Sequence, residues 1–299
     1  MSTTFKIGVV LQGSLHQYWK FVQAGAKKAV ANLTAAGTRI DLVCNSPLRE
    51  DDRGEQREIV ERLVREVDGI VLAPFDSEFL VETVDSAASK GIAFVVIDSL
   101  LKSSSIISFI ATDNKAGGAL AADRMGRLLD RGGKALLMRY QKGVASTEAR
   151  EGGFADRLST YPEIELVRSE EHAGATRDAA KVVGEAMLRE HPDLSGVFTP
   201  NESSTAGMLM ALQGAQQAGK VTFVGFDASD LYLDTMRYRK IHGLVVQNPF
   251  LMGELGVRTL ADHLQGRVVQ KRIDIKPVLV TPENIDAPEV AKLLHLSRI

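Results

Sequence analysis

Short aliphatic runs alternate with longer amphipathic stretches along the whole chain. The first run, Phe5 to Leu11, reads FKIGVVL, and Ile40 to Cys44, Gly69 to Ala73, Ala93 to Ile97 and Ile107 to Ala111 follow it. Runs as continuous as IVLA and FVVI suit strands covered on both faces, as parallel strands are. From Tyr18 to Leu33, the apolar residues Trp19, Val22, Ala26, Ala29, Val30 and Leu33 recur at helical steps, while Lys27, Lys28 and Asn32 fall elsewhere. That stripe belongs to a helix lying on a sheet. Glu55 to Val67 and Leu80 to Lys90 repeat the pattern, with Gly91 placed to stop the helix.

The cycle then restarts. Lys134 to Arg139, Ile164 to Arg168, Gly196 to Thr199, Val221 to Gly225 and Gly243 to Gln247 read as strands. Helical stretches at Gly117 to Arg131, Thr147 to Ser159, Thr176 to Glu190, Ser203 to Ala218 and Leu251 to Leu264 separate or follow them. Strand and helix alternating at this spacing predict an α/β fold with parallel sheets and right-handed crossovers. About ten strands favour two similar α/β domains over a single sheet, with a (β/α)₈ barrel as the main competitor on periodicity alone.

Composition narrows the function classes. The 299 residues hold 36 basic and 38 acidic side chains, a formal net charge of −2, which argues against a non-specific nucleic-acid binder. Cys44 is the single cysteine, so an intrachain disulfide is excluded and a cysteine-based zinc site is not expected. No apolar run approaches the roughly 20 residues of a membrane helix. The first residues lead straight into a strand without the pattern of a signal peptide. The reading is a cytosolic chain if Met1 is the native start, or a periplasmic one whose export signal has been removed.

In open α/β sheets, ligands bind beyond the carboxyl ends of the strands. Those positions hold Gln12, His16, Tyr18 and Trp19 after the first run, and Asp98 after the fourth. Later in the chain they hold Arg150, Asn201, Asp227 and Gln247. Forked polar groups beside adjacent large aromatics suit a sugar, whose rim carries hydroxyls and whose faces carry C–H patches. Each residue also has a structural reading. Tyr18 and Trp19 can be core, Asp98 and Asp227 caps or turn residues, Arg150 a solvated helix residue and Asn201 a turn.

Read together, these residues resemble the periplasmic sugar-binding proteins of the ribose-binding type, the type I periplasmic-binding fold. The landmarks are Lys6-Ile7-Gly8-Val9-Val10, Tyr18-Trp19, Gly25-Ala26, Val96-Ile97-Asp98 and Ala111-Thr112-Asp113-Asn114 with Gly117-Gly118. Arg150-Glu151-Gly152-Gly153-Phe154, Pro200-Asn201-Glu202, Val224-Gly225-Phe226-Asp227 and Val246-Gln247-Asn248-Pro249 continue the series. The resemblance implies two doubly wound parallel-sheet lobes, 1–111 plus 248–276 and 112–247 plus 277–299, joined by a three-crossing hinge and closing over a ligand. It implies ring stacking by Tyr18, Trp19 and Phe226, and hydroxyl contacts from Asp98, Arg150, Asn201, Asp227 and Gln247. Gln12 and His16 take the two remaining contact positions of the first loop.

Ribose binders carry Arg where this chain has Ser99, Asn where it has His16, and a Phe where it has small residues after His172. These departures imply a roomier pocket, for a hexose, a polyol or a derivatised sugar. The expected function is the solute-binding component of a sugar ABC transporter, with a membrane permease as partner, no cofactor, no metal and no nucleic acid, acting as a monomer. The alternative is the ligand-sensing core of a regulator, although only five residues precede Lys6 where a repressor would carry a helix-turn-helix. An enzyme is not expected, since the chain has no G-x-S-x-G, P-loop or G-x-G-x-x-G.

Overall fold

The computed structural model describes residues 4–15, 17–49 and 52–296. The chain begins with β1 (Thr4–Val10), α1 (Gln17–Ala35), β2 (Arg39–Asn45), α2 (Arg53–Leu63), β3 (Gly69–Leu72), α3 (Val81–Ala88), β4 (Ala93–Ile97) and β5 (Ser108–Thr112). It continues with α4 (Asn114–Leu128), β6 (Gly133–Leu137), α5 (Ala145–Leu158), β7 (Ile164–Arg168), α6 (Arg177–Glu190) and β8 (Leu194–Phe198). Next come α7 (Glu202–Gly214), β9 (Thr222–Phe226), α8 (Asp230–Arg237), β10 (Gly243–Val246) and α9 (Pro249–Leu264). β11 (Arg272–Ile275), β12 (Val278–Val280) and α10 (Pro288–Leu296) complete the described chain.

Two compact units result. Unit 1 runs to Thr112 and takes up Asn248–Ile275, while unit 2 holds Asp113–Gln247 and Lys276–Leu294. The sheet of unit 1 has the order β11-β5-β4-β3-β1-β2, and that of unit 2 the order β12-β10-β9-β8-β6-β7. These are the two similar α/β domains that the periodicity predicts, doubly wound as the resemblance implies, and the two strand orders correspond position by position. Among the described residues one departure from parallel pairing occurs, because β12 runs antiparallel to β10.

The inner strands are buried on both sides, which is why their sequences are continuous rather than alternating. In unit 1, Ile7, Val9, Val71, Val95 and Ile97 face one core with α1 and α9. Their neighbours Val10, Ile70, Leu72, Phe94 and Val96 face a second core with α2 and α3. Unit 2 repeats the division. Ala135, Leu137, Val224 and Phe226 pack with α4 and α5. Leu136, Phe223, Leu244 and Val246 pack with α6, α7 and α8.

Connectivity and packing cross over at one point in each unit. The helix that follows β5 belongs to unit 2, and the helix that follows β10 belongs to unit 1. Thus α4 packs on α5, and α9 packs on α1. Both crossings use glycine on each helix. A Cβ at Gly25 would overlap the carbonyl oxygen of Phe250, and one at Gly253 that of Val22. In the other pair, a Cβ at Gly118 would overlap the carbonyl of Arg150, and one at Gly153 that of Lys115.

These contacts are backbone against glycine, so no side-chain rotation relieves an added methyl group. Gly153→Ala and Gly253→Ala should each destabilise the protein by about 2–4 kcal/mol in urea unfolding. Gly152→Ala is the internal control, since nothing lies within 4 Å of its Cβ position. It should stabilise α5 by up to about 1 kcal/mol through helix propensity. Equal effects at Gly152 and Gly153 would refute the crossing as the constraint.

Candidate functional site

In unit 1 the carboxyl ends of β1, β3 and β4 carry the polar groups. Gln12 Nε2 donates to the Pro74 carbonyl at 2.8 Å, tying the loop after β1 to the loop after β3. Asp98 follows β4 and takes φ = 66°, in the left-handed region. Its N–H still donates to Ile110 O of β5 at 3.0 Å, so the ladder continues one residue beyond the strand before the chain turns. The Tyr18 hydroxyl donates to Asp98 Oδ1 at 2.7 Å, with the Met252 sulfur of α9 3.6 Å away. Trp19 is 4% exposed and lies in the core shared by α1 and α9. Its ring meets that of Tyr18 edge-on, centroids 4.9 Å apart. The structure therefore brings Tyr18, Trp19 and Asp98 together, while His16 lies outside the described residues. Ser99 is buried, its N–H donating to Ile97 O at 2.9 Å.

Unit 2 repeats the device. Asp227 follows β9, also takes φ = 66°, and donates its N–H to Val245 O at 2.8 Å. Its Oδ1 accepts from Gln247 Nε2 at 2.7 Å, joining the ends of β9 and β10. Arg150, on the second turn of α5, is 3% exposed. Its Nε donates to Asn114 Oδ1 at 2.8 Å and its Nη1 to Pro200 O at 2.9 Å. The guanidinium carbon stands 3.9 Å over the Phe226 ring centroid. Arg150 is therefore not a solvated helix residue. Phe226 is fully buried, with Arg150 over its ring and Gly117 so close that a Cβ there would come within 3.1 Å of it. Its observed partner is Arg150. Asn201 caps α7, its Oδ1 accepting from Ser204 N at 3.2 Å and its Nδ2 donating to Ser203 Oγ at 3.1 Å.

With this geometry in hand, the sequence profile of the periplasmic binding protein domain matches residues 7–267. The chain belongs to that family. Among relatives of this binding protein, the D-ribose/D-allose-binding protein of Pseudomonas aeruginosa is 28% identical over 291 residues, covering 95% of this chain and 89% of its own. The ribose import binding protein of Bacillus subtilis is 30% identical over 226 residues, 75% of this chain and 72% of its own. Among solved structures, an ABC transporter solute-binding protein from Agrobacterium vitis with bound D-fucose aligns with a TM-score of 0.88 at 33% identity, covering 96% and 98% of the two chains.

Some residues that shape this binding protein's strand ends carry no sequence signal. Gln56 on α2 is 1% exposed. Its Nε2 donates to the carbonyls of Leu11 and Ala73 at 3.1 and 2.9 Å, and its Oε1 accepts from Phe75 N at 3.1 Å. One amide thus clamps the ends of β1 and β3, yet in sequence it is one polar residue in a polar helix. Asn114 likewise gives no hint that it orients Arg150. Among the described residues, no group of three or more His, Cys, Asp or Glu side chains could hold a metal ion, and no helix is long and apolar enough to cross a membrane.

Glu151 follows Arg150 on α5. Its Oε1 accepts from Tyr140 N at 2.9 Å. Burial pushes its carboxyl up to about 7, reinforced by the charge of Glu148 and opposed by the Tyr140 N–H, Arg139 and Arg150. A carboxyl raised in the folded state binds its proton there after the unfolded chain has lost it. Its contribution to stability is therefore lost as pH rises from about 4.5 to about 7. Glu151→Gln keeps the acceptor and removes the titration. Its thermal midpoint should exceed that of the wild type by about 5 °C at pH 8, with the gap closing by pH 5. A constant offset across that range would show that the carboxyl does not titrate there.

Proposed function

We propose that this chain is the sugar-binding component of an ABC importer, taking a monosaccharide or polyol in the periplasm and presenting it, as a monomer, to a membrane permease. The observation that carries this reading is the paired aspartate. Each unit ends its equivalent strand on a carboxylate in a left-handed turn, and each carboxylate accepts from a neutral donor, Tyr18 in unit 1 and Gln247 in unit 2. Non-glycine residues in that conformation cost free energy and cluster at ligand sites. Carboxylates, guanidinium and amides are the groups that read hydroxyls, because they form charge-assisted or bidentate hydrogen bonds.

In this reading Asp98, Asp227, Arg150, Asn201 and Gln247 contact hydroxyls, and Tyr18 with Trp19 covers a C–H face of the ring. Phe226 acts through Arg150, whose planar head it supports. Gln12 holds the loop that leads into α1, whose first turn carries the aromatic pair. The relatives' names span pentoses, hexoses and, in the xylitol-binding protein of Mycolicibacterium smegmatis, a polyol. The probe panel follows from them.

Calorimetric titration with ribose, allose, fucose, arabinose, xylitol and myo-inositol should give saturable binding at micromolar concentrations for one or two related members. Asp98→Asn and Asp227→Asn keep the size of the side chain and tolerate the left-handed turn. Each should weaken that binding about 10–100-fold, because a charge-assisted bond becomes a neutral one. Loss from only one of the two variants would confine recognition to one unit. Failure of the wild type to bind any of the panel would overturn the sugar assignment.

A further inference from the structure

Thr205 lies on the first turn of α7 and is fully buried. Its backbone N–H and its hydroxyl both reach the Asn201 carbonyl, at 2.9 and 2.7 Å. That much is the ordinary back-bond of a threonine in a helix. The same hydroxyl also reaches another strand. The ladder between β8 and β9 extends to a bond from Thr199 N–H to Val224 O at 3.2 Å, and the chain then turns at Pro200 into α7. Both main-chain groups of Phe226 face the side that β8 has left. Thr205 Oγ1 stands 3.2 Å from each, accepting from the Phe226 N–H and donating toward the Phe226 carbonyl. It also lies 2.9 Å from the Thr199 hydroxyl. Gly225 makes room for this approach, since a Cβ there would come within 2.7 Å of the Thr205 methyl group.

A hydroxyl has one proton and two lone pairs, and these neighbours use all of them. Each neighbour is, or adjoins, a group that the sugar-binding reading employs. Asn201 is itself one. Phe226 holds the Arg150 guanidinium 3.9 Å over its ring. The peptide from Phe226 to Asp227 is held on both sides, its carbonyl by Thr205 and its N–H by Val245 O at 2.8 Å. That peptide leads directly into the left-handed turn at Asp227. In unit 1 the matching carbonyl, Ile97 O, accepts from the backbone N–H of Ser99. In unit 2 a side chain takes the carbonyl, so one substitution can release it.

We propose that Thr205 is a positioning residue for sugar recognition, its hydroxyl setting Asn201 and the turn at Asp227 in the geometry that ligand hydroxyls require. This rests on the sugar-binding reading above. Binding groups work only when their supporting contacts lock them in place. Without the Thr205 oxygen the buried Phe226 N–H loses its acceptor, and the turn shifts to recover one.

Thr205→Val keeps the shape of the side chain and removes the hydroxyl, whereas Thr205→Ser keeps the hydroxyl and removes the methyl group. Calorimetric titration with the best-bound member of the panel above reads the affinity of the folded molecules, and its stoichiometry reads how many are folded. Thr205→Val should bind about 5–50-fold more weakly, and Thr205→Ser should stay within about twofold of the wild type. Action through the turn also predicts a specific coupling. Combined with Asp227→Asn, the Val substitution should lose most of its effect, because the group it misplaces is already weakened. Combined with Asp98→Asn, in unit 1, it should keep its full effect. Thr205→Ala removes the same hydroxyl and takes the place of the Val variant if that one does not fold. Wild-type affinity in the hydroxyl-free variant, a Ser variant as weak as it, or equal losses in the two aspartate backgrounds would each overturn the positioning role while leaving the sugar reading standing. Absence of binding by the wild type across the panel would overturn both.

Discussion

Glycine meets backbone carbonyl where α1 crosses α9 and again where α4 crosses α5. At these points the helices approach more closely than any side chain allows, and the placement of the strand-end groups depends on it. In unit 2 the carbonyl pressed against Gly118 is that of Arg150, and the residue before the pressed Lys115 is Asn114, which receives the Arg150 Nε–H. In unit 1 Gly253 sits beside Met252, whose sulfur borders the Tyr18 hydroxyl. Each crossing thus fixes, within one residue, a contact of a proposed binding side chain. Moving one helix by the width of a methyl group would displace both partners.

The two aspartates solve a second local problem. A side chain at the end of a strand interior to the sheet continues the pleat and points to one face of the sheet. The left-handed turn at Asp98 and Asp227 breaks that alternation immediately after the last ladder bond. Asp tolerates this conformation better than most residues, since its short polar side chain interacts locally. Both backbones are held by the neighbouring strand and both carboxylates by a neutral donor, so the turn is over-determined from both sides. Strain at such sites persists only where the surroundings enforce it.

How much of this was legible in the sequence follows from what each feature looks like locally. The inner strands, such as β3, β4 and β10, show as uninterrupted aliphatic segments because both faces are buried, while the outer strands β2 and β7 keep charged, exposed positions and are read from their β-branched and aliphatic residues alone. β11 and β12 do not show at all, since Arg272–Ile275 and Val278–Val280 are short and at sheet edges, and the first is largely exposed. The helix α8 is not read from the sequence beyond the capping Ser229, because its eight residues alternate charged Asp230, Asp234 and Arg237 with its buried positions. Asp98, Asp227, Arg150 and the aromatic pair are legible as strand-end or helix-start residues, and their grouping follows from topology. What pairs with them is not legible. Asn114 is 36 residues from Arg150, and Gln56 reaches back 45 residues to Leu11. Nothing in the local pattern distinguishes either from an exposed polar residue. The glycines of the crossings are visible as letters, but their partners lie on helices far away in the chain.

The reciprocal placement of α4 and α9 governs the order in which the protein can assemble. When residues up to Thr112 have left the ribosome, unit 1 has five of its six strands but lacks α9, which shares one core with α1, and lacks β11 at its edge. Those pieces arrive only with Asn248–Ile275, after nearly all of unit 2 has been made. The first unit therefore closes its core through contacts of long sequence separation, which are slow to form. During synthesis its apolar α1 face waits uncovered while the later segment is still being added. The vectorial rule that the amino-terminal domain folds first is suspended by the chain path itself. Both units reach completion almost together, unit 1 with Asn248–Ile275 and unit 2 with Lys276–Leu294 directly after it.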